Sequence, residues 1–127
     1  MDVVVSGSSG LIGTALVEAL RSAGHRPIRL VRDTSGTKDS DTLRWDPARG
    51  TIDAAGLEGV DAVVHLAGEG IATSRWTDEQ KRRIRDSRVQ GTTLLARTLA
   101  SLQRPPRVLV SASGINYYGD RGDTVLT

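Results

Sequence analysis

Residues 3 to 13 read Val3-Val4-Val5-Ser6-Gly7-Ser8-Ser9-Gly10-Leu11-Ile12-Gly13, and this stretch decides the fold. Three consecutive β-branched apolar residues mark a short strand buried on both faces. Gly7, Gly10 and Gly13 then fall at three-residue steps, GxxGxxG. From Ile12 onward Ile12, Ala15, Leu16, Ala19 and Ala23 recur at helical spacing. Between a strand and a helix each glycine has a task. Gly7 turns the backbone off the strand, Gly10 admits a phosphate close to the chain, and Gly13 lets the helix pack against the sheet. The helix N-terminus adds amide donors and a favourable dipole, which suit a pyrophosphate. Ser8 and Ser9 supply hydroxyl donors. The pattern therefore predicts a dinucleotide site built from Gly7, Ser9, Gly10, Leu11, Ile12 and Gly13.

Outward from that turn, strand-like and helix-like segments alternate. Gly24 stops the first helix and Pro27 follows it. Ile28 to Val31 reads as a second strand, Thr34 to Asp41 as a polar loop, and Thr42 to Trp45 as a third strand ended by Asp46-Pro47. Gly50 to Gly59 accommodates one short helical turn. Ala62 to Leu66 is a fourth strand and Val108 to Val110 a fifth. A long helix is predicted from Thr77 to Leu102, opened by a Thr77/Gln80 capping box and followed by Pro105-Pro106. Ile84, Ser87, Gly91, Leu95, Thr98 and Leu102 form its apolar stripe. Its other side mixes Arg82, Arg83, Arg85 and Arg88 with Asp78, Glu79 and Asp86, a solvated face rather than a nucleic-acid patch. Such strand–helix–strand units imply a doubly wound parallel sheet, a Rossmann-type α/β fold, in the order 3-2-1-4-5. Its ligand belongs beyond the carboxyl ends of strands one and four.

The chain has 127 residues, room for one domain of ordinary size, with 17 Lys+Arg against 15 Asp+Glu. A net charge of +2 is too small to argue for a nucleic-acid partner, and none is expected. The absence of cysteine excludes disulfides, Cys-based zinc sites and a thiol nucleophile. No signal-peptide layout and no membrane-length apolar run is present, so a soluble, cytoplasmic chain without membrane partners is expected.

The end of the second strand bears on which dinucleotide fits. An acidic residue there holds the adenosine ribose and favours NAD, whereas a basic one accepts the 2′-phosphate of NADP. The strand ends Val31-Arg32-Asp33. Arg32 comes first and supports NADP as the preferred cofactor, with Asp33 the competing argument for NAD. Arg29, inside the strand, is another basic candidate, expected to point elsewhere.

Four segments, SGSSGLIG, DAVVHLAGE, RWTDEQKRRIRDSRVQGT and VLVSASGINYYGD, together resemble the atypical or extended short-chain dehydrogenase/reductase superfamily. Within it they resemble the NAD(P)-dependent epimerase/dehydratase-like branch, some of whose members are labelled cell-division-inhibitor-like. The likeness runs from Met1 to about Leu126. It implies that Leu66, Ala67 and Gly68 flank the cofactor, and that Asp46 meets the adenine amino group, although an Asp-Pro turn explains Asp46 equally well. It also implies that Ser113 polarises the substrate oxygen, with Ser111 as a structural partner. Alternatively, small residues at that strand end make room for the nicotinamide. His65, within a strand, reads as a core residue more than as a general base.

Relatives with oxidoreductase activity carry Tyr-x-x-x-Lys, the tyrosine exchanging a proton as hydride moves. Here Arg121 and Gly122 stand four residues after Tyr117 and Tyr118, and no lysine follows Lys81. The two tyrosines are expected to wall the cofactor pocket. Arg88 occupies a position where extended members commonly have asparagine. The resemblance implies the N-terminal portion of a longer epimerase/dehydratase or oxidoreductase whose substrate lobe lies elsewhere. The segment alone is expected to be inactive. The missing pair supports the alternative of a non-catalytic, redox-sensing binding module. The long helix resembles one that pairs in homodimers.

Overall fold

The computed structural model of the chain describes residues 1–32, 39–72, 74–113 and 119–125. In chain order it contains β1 (Asp2–Ser6), α1 (Leu11–Ser22), β2 (Arg26–Arg32), β3 (Thr42–Asp46) and β4 (Thr51–Ile52). These are followed by α2 (Ala54–Leu57), β5 (Ala62–His65), α3 (Asp78–Ser101) and β6 (Val108–Ser111). The strands form one Rossmann-like sheet, ordered β4-β3-β2-β1-β5-β6 among the described residues. No helix among those residues is long and apolar enough to cross a membrane.

The observed order corrects the expected five-stranded 3-2-1-4-5. An additional strand, β4, lies outside β3 and runs antiparallel to it, with Trp45 opposite Ile52 and Asp46 opposite Thr51, so the sheet is mixed. Asp46 starts the reversal, its Oδ1 accepting from the amides of Ala48 (3.0 Å) and Arg49 (3.2 Å). Gly50, at φ +70°, completes it in the left-handed region that glycine adopts without strain. A two-residue strand is too short to show a period in the sequence. The helical turn expected between Gly50 and Gly59 is α2, capped by Asp53, whose carboxylate accepts from the Gly56 amide at 3.2 Å.

β1 lies centrally between β2 and β5, which explains its unbroken apolar run. Val3 and Val5 face α1 and pack with Val17, Leu16 and Leu20. Val4 faces the opposite way, into a larger core with Leu30, Trp45, Leu57, Val63 and Leu95. The α3 stripe follows the sequence reading: Gly91 and Leu95 are buried, and Thr77 caps the helix by accepting from the Gln80 amide at 3.1 Å. The face of α1 is rotated from expectation, however. Gly13, Leu16, Val17 and Leu20 turn inward while Ile12, Ala15 and Ala19 are exposed. Gly13 sets that rotation. A Cβ there would overlap the Gly7 carbonyl oxygen and lie 2.8 Å from Ser8 Cα.

A hydrogen-bonded chain joins the two central strands to α3. Ser6 Oγ accepts from the amides of Leu66 (3.2 Å) and Ala67 (3.3 Å). Its own proton is therefore directed to His65 Nδ1, 2.6 Å away. That makes Nδ1 an acceptor and leaves the proton on Nε2, which donates to Thr92 Oγ1 at 3.0 Å. The ring meets Trp45 edge-on, with centroids 5.9 Å apart. His65 is thus a buried, neutral core residue, and burial holds its pKa below the ordinary 6.5.

Because the folded pKa is lowered, an unfolded chain binds the extra proton first. The stability His65 contributes is whole above about pH 6.5 and declines as pH falls from there toward the lowered folded value. Urea denaturation at pH 7.5 and 5.5 is expected to show a drop that is smaller in His65→Asn, and equal drops would contradict the neutral ring. Gly13→Ala is expected to cost about 3 kcal/mol through overpacking. Gly24→Ala, where no atom lies within 4 Å and only the φ of +79° resists, is expected to cost about 1 kcal/mol. Denaturant midpoints measure both.

Candidate functional site

A cleft of about 760 Å³ opens at the carboxyl ends of β1, β2, β3 and β5, bounded by the start of α1 and one side of α3. That volume lies within the usual range for small-molecule sites. Gly7, Ser8, Ser9 and Gly10 form one wall. Gly7 takes φ +69°, and a Cβ there would sit 2.8 Å from the Ala67 nitrogen, so the glycine turn lies directly against the chain leaving β5. Gly10 is the N-cap of α1, with no side-chain cap and no acidic residue in the first turn. The first-turn amides, which lack intrahelical partners in any helix, meet no side-chain carboxylate of that turn and suit an anion. Leu11 and Ile12 are 93% and 69% exposed, and their side chains do not line the cleft. Gly13 lies one turn further in and packs under Gly7 rather than facing the cleft.

Leu66, Ala67 and Gly68 line the cleft, and the backbone from Leu66 to Glu69 is held from two sides. Ser6 takes the first two amides, as described above. From α3, Ser87 Oγ accepts from the Glu69 amide at 2.9 Å and donates to the Ile84 carbonyl at 3.0 Å. Arg88 Nη1 donates to the Glu69 carbonyl at 3.0 Å and to that of Ile84 at 3.2 Å. The guanidinium covers Gly68, where a Cβ would lie 3.1 Å from Arg88 Cζ. Arg88 therefore clamps the loop after β5. Sequence reading registered the Ser-Arg pair as part of a motif but did not find this role, because its partners are backbone groups about 19 residues away.

Arg32 and Asp46 line the far end of the cleft. The Asp46 carboxylate builds the turn before β4, and its Oδ2 lies 3.6 Å from Arg49 Nε. The turn explanation thus describes its contacts, while its position keeps it at the cleft. Arg29 departs from expectation. It lines the same cleft, and its Nε donates to Ser8 Oγ at 3.3 Å. The Asp33 carboxylate lies outside the described residues. Ser113 follows β6, where the Ala112 amide donates to the His65 carbonyl at 2.9 Å and Ser111 sits opposite His65 in register. Ser113 is exposed and does not line the cleft. Tyr117 and Tyr118, expected as pocket walls, lie outside the described residues.

Comparison with known proteins places this geometry. The chain is 42% identical over 124 residues to Epimerase family protein Mb2239 of Mycobacterium bovis, covering 98% of this chain and 40% of that protein. The human epimerase family protein SDR39U1, solved with NADPH, superposes with a TM-score of 0.77 at 34% identity, over 93% of this chain and 38% of that one. A short-chain dehydrogenase/reductase superfamily protein from Agrobacterium tumefaciens, solved with bound NAD, gives a TM-score of 0.70 at 28% identity, over 94% of this chain and 34% of that one. The chain thus spans about 40% of the length of the curated relative. With its glycine turn, its clamped loop after β5 and a family pattern matching residues 3–126, the chain belongs to the NAD dependent epimerase/dehydratase family.

Proposed function

We propose that the chain is the dinucleotide-binding part of a longer epimerase/dehydratase or oxidoreductase that uses NADP(H) and acts on a carbonyl or sugar-nucleotide-like substrate. One observation carries the reading. An uncapped helix N-terminus, free of first-turn carboxylates, opens at Gly10 into a cleft that also contains Arg32. The solved relatives with NADPH and with NAD support a nicotinamide dinucleotide. The preference for NADP rests on the Arg32 guanidinium, a fork of donors suited to a phosphate.

In this reading the bound nicotinamide supplies the hydride acceptor and donor. The residues of the chain bind and orient. Gly7 and Gly10 keep side chains away from the pyrophosphate, and the α1 amides donate to it. Leu66, Ala67 and Gly68, held by Ser6, Ser87 and Arg88, form a preset wall along the adenosine and its bridging ribose. Asp46 is placed at the adenine end. Ser113 orients the reacting oxygen by hydrogen bonding, and the proton is moved by an acid/base group that is nonstandard or supplied by the rest of the longer protein. The second reading, a binding module that senses redox state without catalysis, is favoured by the lack of lysine four residues after either Tyr117 or Tyr118.

Isothermal titration is expected to give binding of NADPH at least tenfold tighter than NADH, about 1.4 kcal/mol. Arg32→Ala is expected to reduce that preference severalfold. Heat changes absent with both nucleotides would overturn the cofactor reading, and tighter NADH binding would overturn the role of Arg32. With the longer protein and a panel of carbonyls and sugar nucleotides, Ser113→Ala is expected to lower turnover by about 10²-fold, typical of losing an oxygen-orienting donor. Nucleotide binding without any turnover across that panel would instead support the sensing module.

A further inference from the structure

Arg29 interrupts an otherwise apolar run in β2, between Ile28 and Leu30. In the parallel register it lies opposite Val5, whose side chain belongs to the α1 face of the sheet. Arg32 lies opposite Trp45, on the α3 face. The strand therefore brings one guanidinium to the cleft from each side of the sheet. The contact between Arg29 Nε and Ser8 Oγ, 3.3 Å long, is made to a serine that is only 7% exposed. It orients the guanidinium at the glycine turn while using a single one of its donors. The terminal nitrogens keep the fork that matches two oxygens of a phosphate.

Charge points the same way. Among the described residues the ion pairs join Arg26 to Asp2 and Asp41, Arg49 to Asp46, and Arg83 to Glu79; none neutralises Arg29 or Arg32. Arg83, on the α3 wall of the cleft, is held by its glutamate at 2.7 Å. Among the described residues Arg29 and Arg32 thus have no carboxylate ion-pair partner, and both line a cleft whose glycine turn already favours anions. A phosphate monoester carries between one and two negative charges at neutral pH and three acceptor oxygens, enough to engage both arginines.

We infer that Arg29, oriented by Ser8, is a specificity-determining residue that shares with Arg32 the phosphate on the adenosine ribose, so that the cleft selects the phosphorylated dinucleotide through two guanidiniums rather than one. This rests on the dinucleotide reading of the cleft. A guanidinium that merely braced the glycine turn would act equally on both nucleotides, whereas a phosphate partner acts on the ratio of their affinities.

The test is the ratio of NADH to NADPH dissociation constants, measured by calorimetry for the full chain and for Arg29→Gln, Arg29→Lys and Ser8→Ala, with thermal melting of each apoprotein as a folding control. Arg29→Gln is expected to cut the ratio about tenfold. Arg29→Lys keeps the charge and is expected to fall between Gln and the parent. Ser8→Ala is expected to lower the ratio less than Arg29→Gln. A parent that prefers NADPH and a folded Arg29→Gln with the same ratio would overturn the inference and leave the dinucleotide reading standing. So would equal parent affinities for the two nucleotides. If Arg29→Gln melts early, an Arg29→Lys ratio equal to the parent's together with an unchanged Ser8→Ala ratio would overturn it as well. Failure of the parent to bind either nucleotide would overturn both readings together.

Discussion

The contact between the Gly7 backbone and the peptide joining Leu66 to Ala67 is the constraint on which the rest of the molecule depends. With the Gly7 Cβ position only 2.8 Å from the Ala67 nitrogen, no other residue fits there without separating the ends of β1 and β5. That closeness puts Ser6 within reach of two amides beyond β5. Once Ser6 Oγ has accepted both, its proton has one direction left, and His65 becomes an acceptor toward β1 and a donor toward Thr92 on α3. One steric requirement thus propagates into a tautomer and into the attachment of a helix.

The same constraint shapes the cleft. Two of its walls are backbone: the glycine turn and the loop after β5. The loop is secured from above by Ser87 and Arg88, which take the amide and the carbonyl of Glu69. Backbone walls held by hydrogen bonds in advance lose little freedom when a ligand arrives, the basis of preorganised affinity. Electrostatics add direction. Asp46 has its Oδ1 engaged in a turn, Arg83 is paired with Glu79, and among the described residues Arg29 and Arg32 line the cleft without an ion-pair partner. Similar proteins have been solved with NADPH and with NAD.

Much of this was readable in the residues. The glycine turn and the limits and stripe of α3 follow from turn chemistry and helical period, the candidacy of Arg32 from the end of the second strand, and that of Leu66 to Gly68 from the family resemblance. The face of α1 was misread because Leu11, Ile12, Ala15, Leu16, Val17, Ala19 and Leu20 are apolar nearly all round the helix. Periodicity then leaves the rotation open, and the seating of Gly13 on Gly7 settles it. β4 was missed because two residues carry no pattern. The place of Arg29 inside the strand suggests that it points elsewhere, but strand position does not say what stands above a side chain's face. Here it is Ser8.

By itself the sequence determined the local geometry: where the chain extends, where it coils, where only glycine passes, and hence a sheet with an anion-binding turn at its carboxyl edge. These are properties of neighbouring residues, governed by sterics and by periods of two and 3.6. The tertiary structure decided which distant groups meet: His65 with Ser6 across 59 positions, Arg88 with Glu69 across 19, and Arg29 with Ser8 across 21. Those meetings depend on strand register and helix docking, which arise only when the whole sheet assembles, because each pairs groups that no local rule connects.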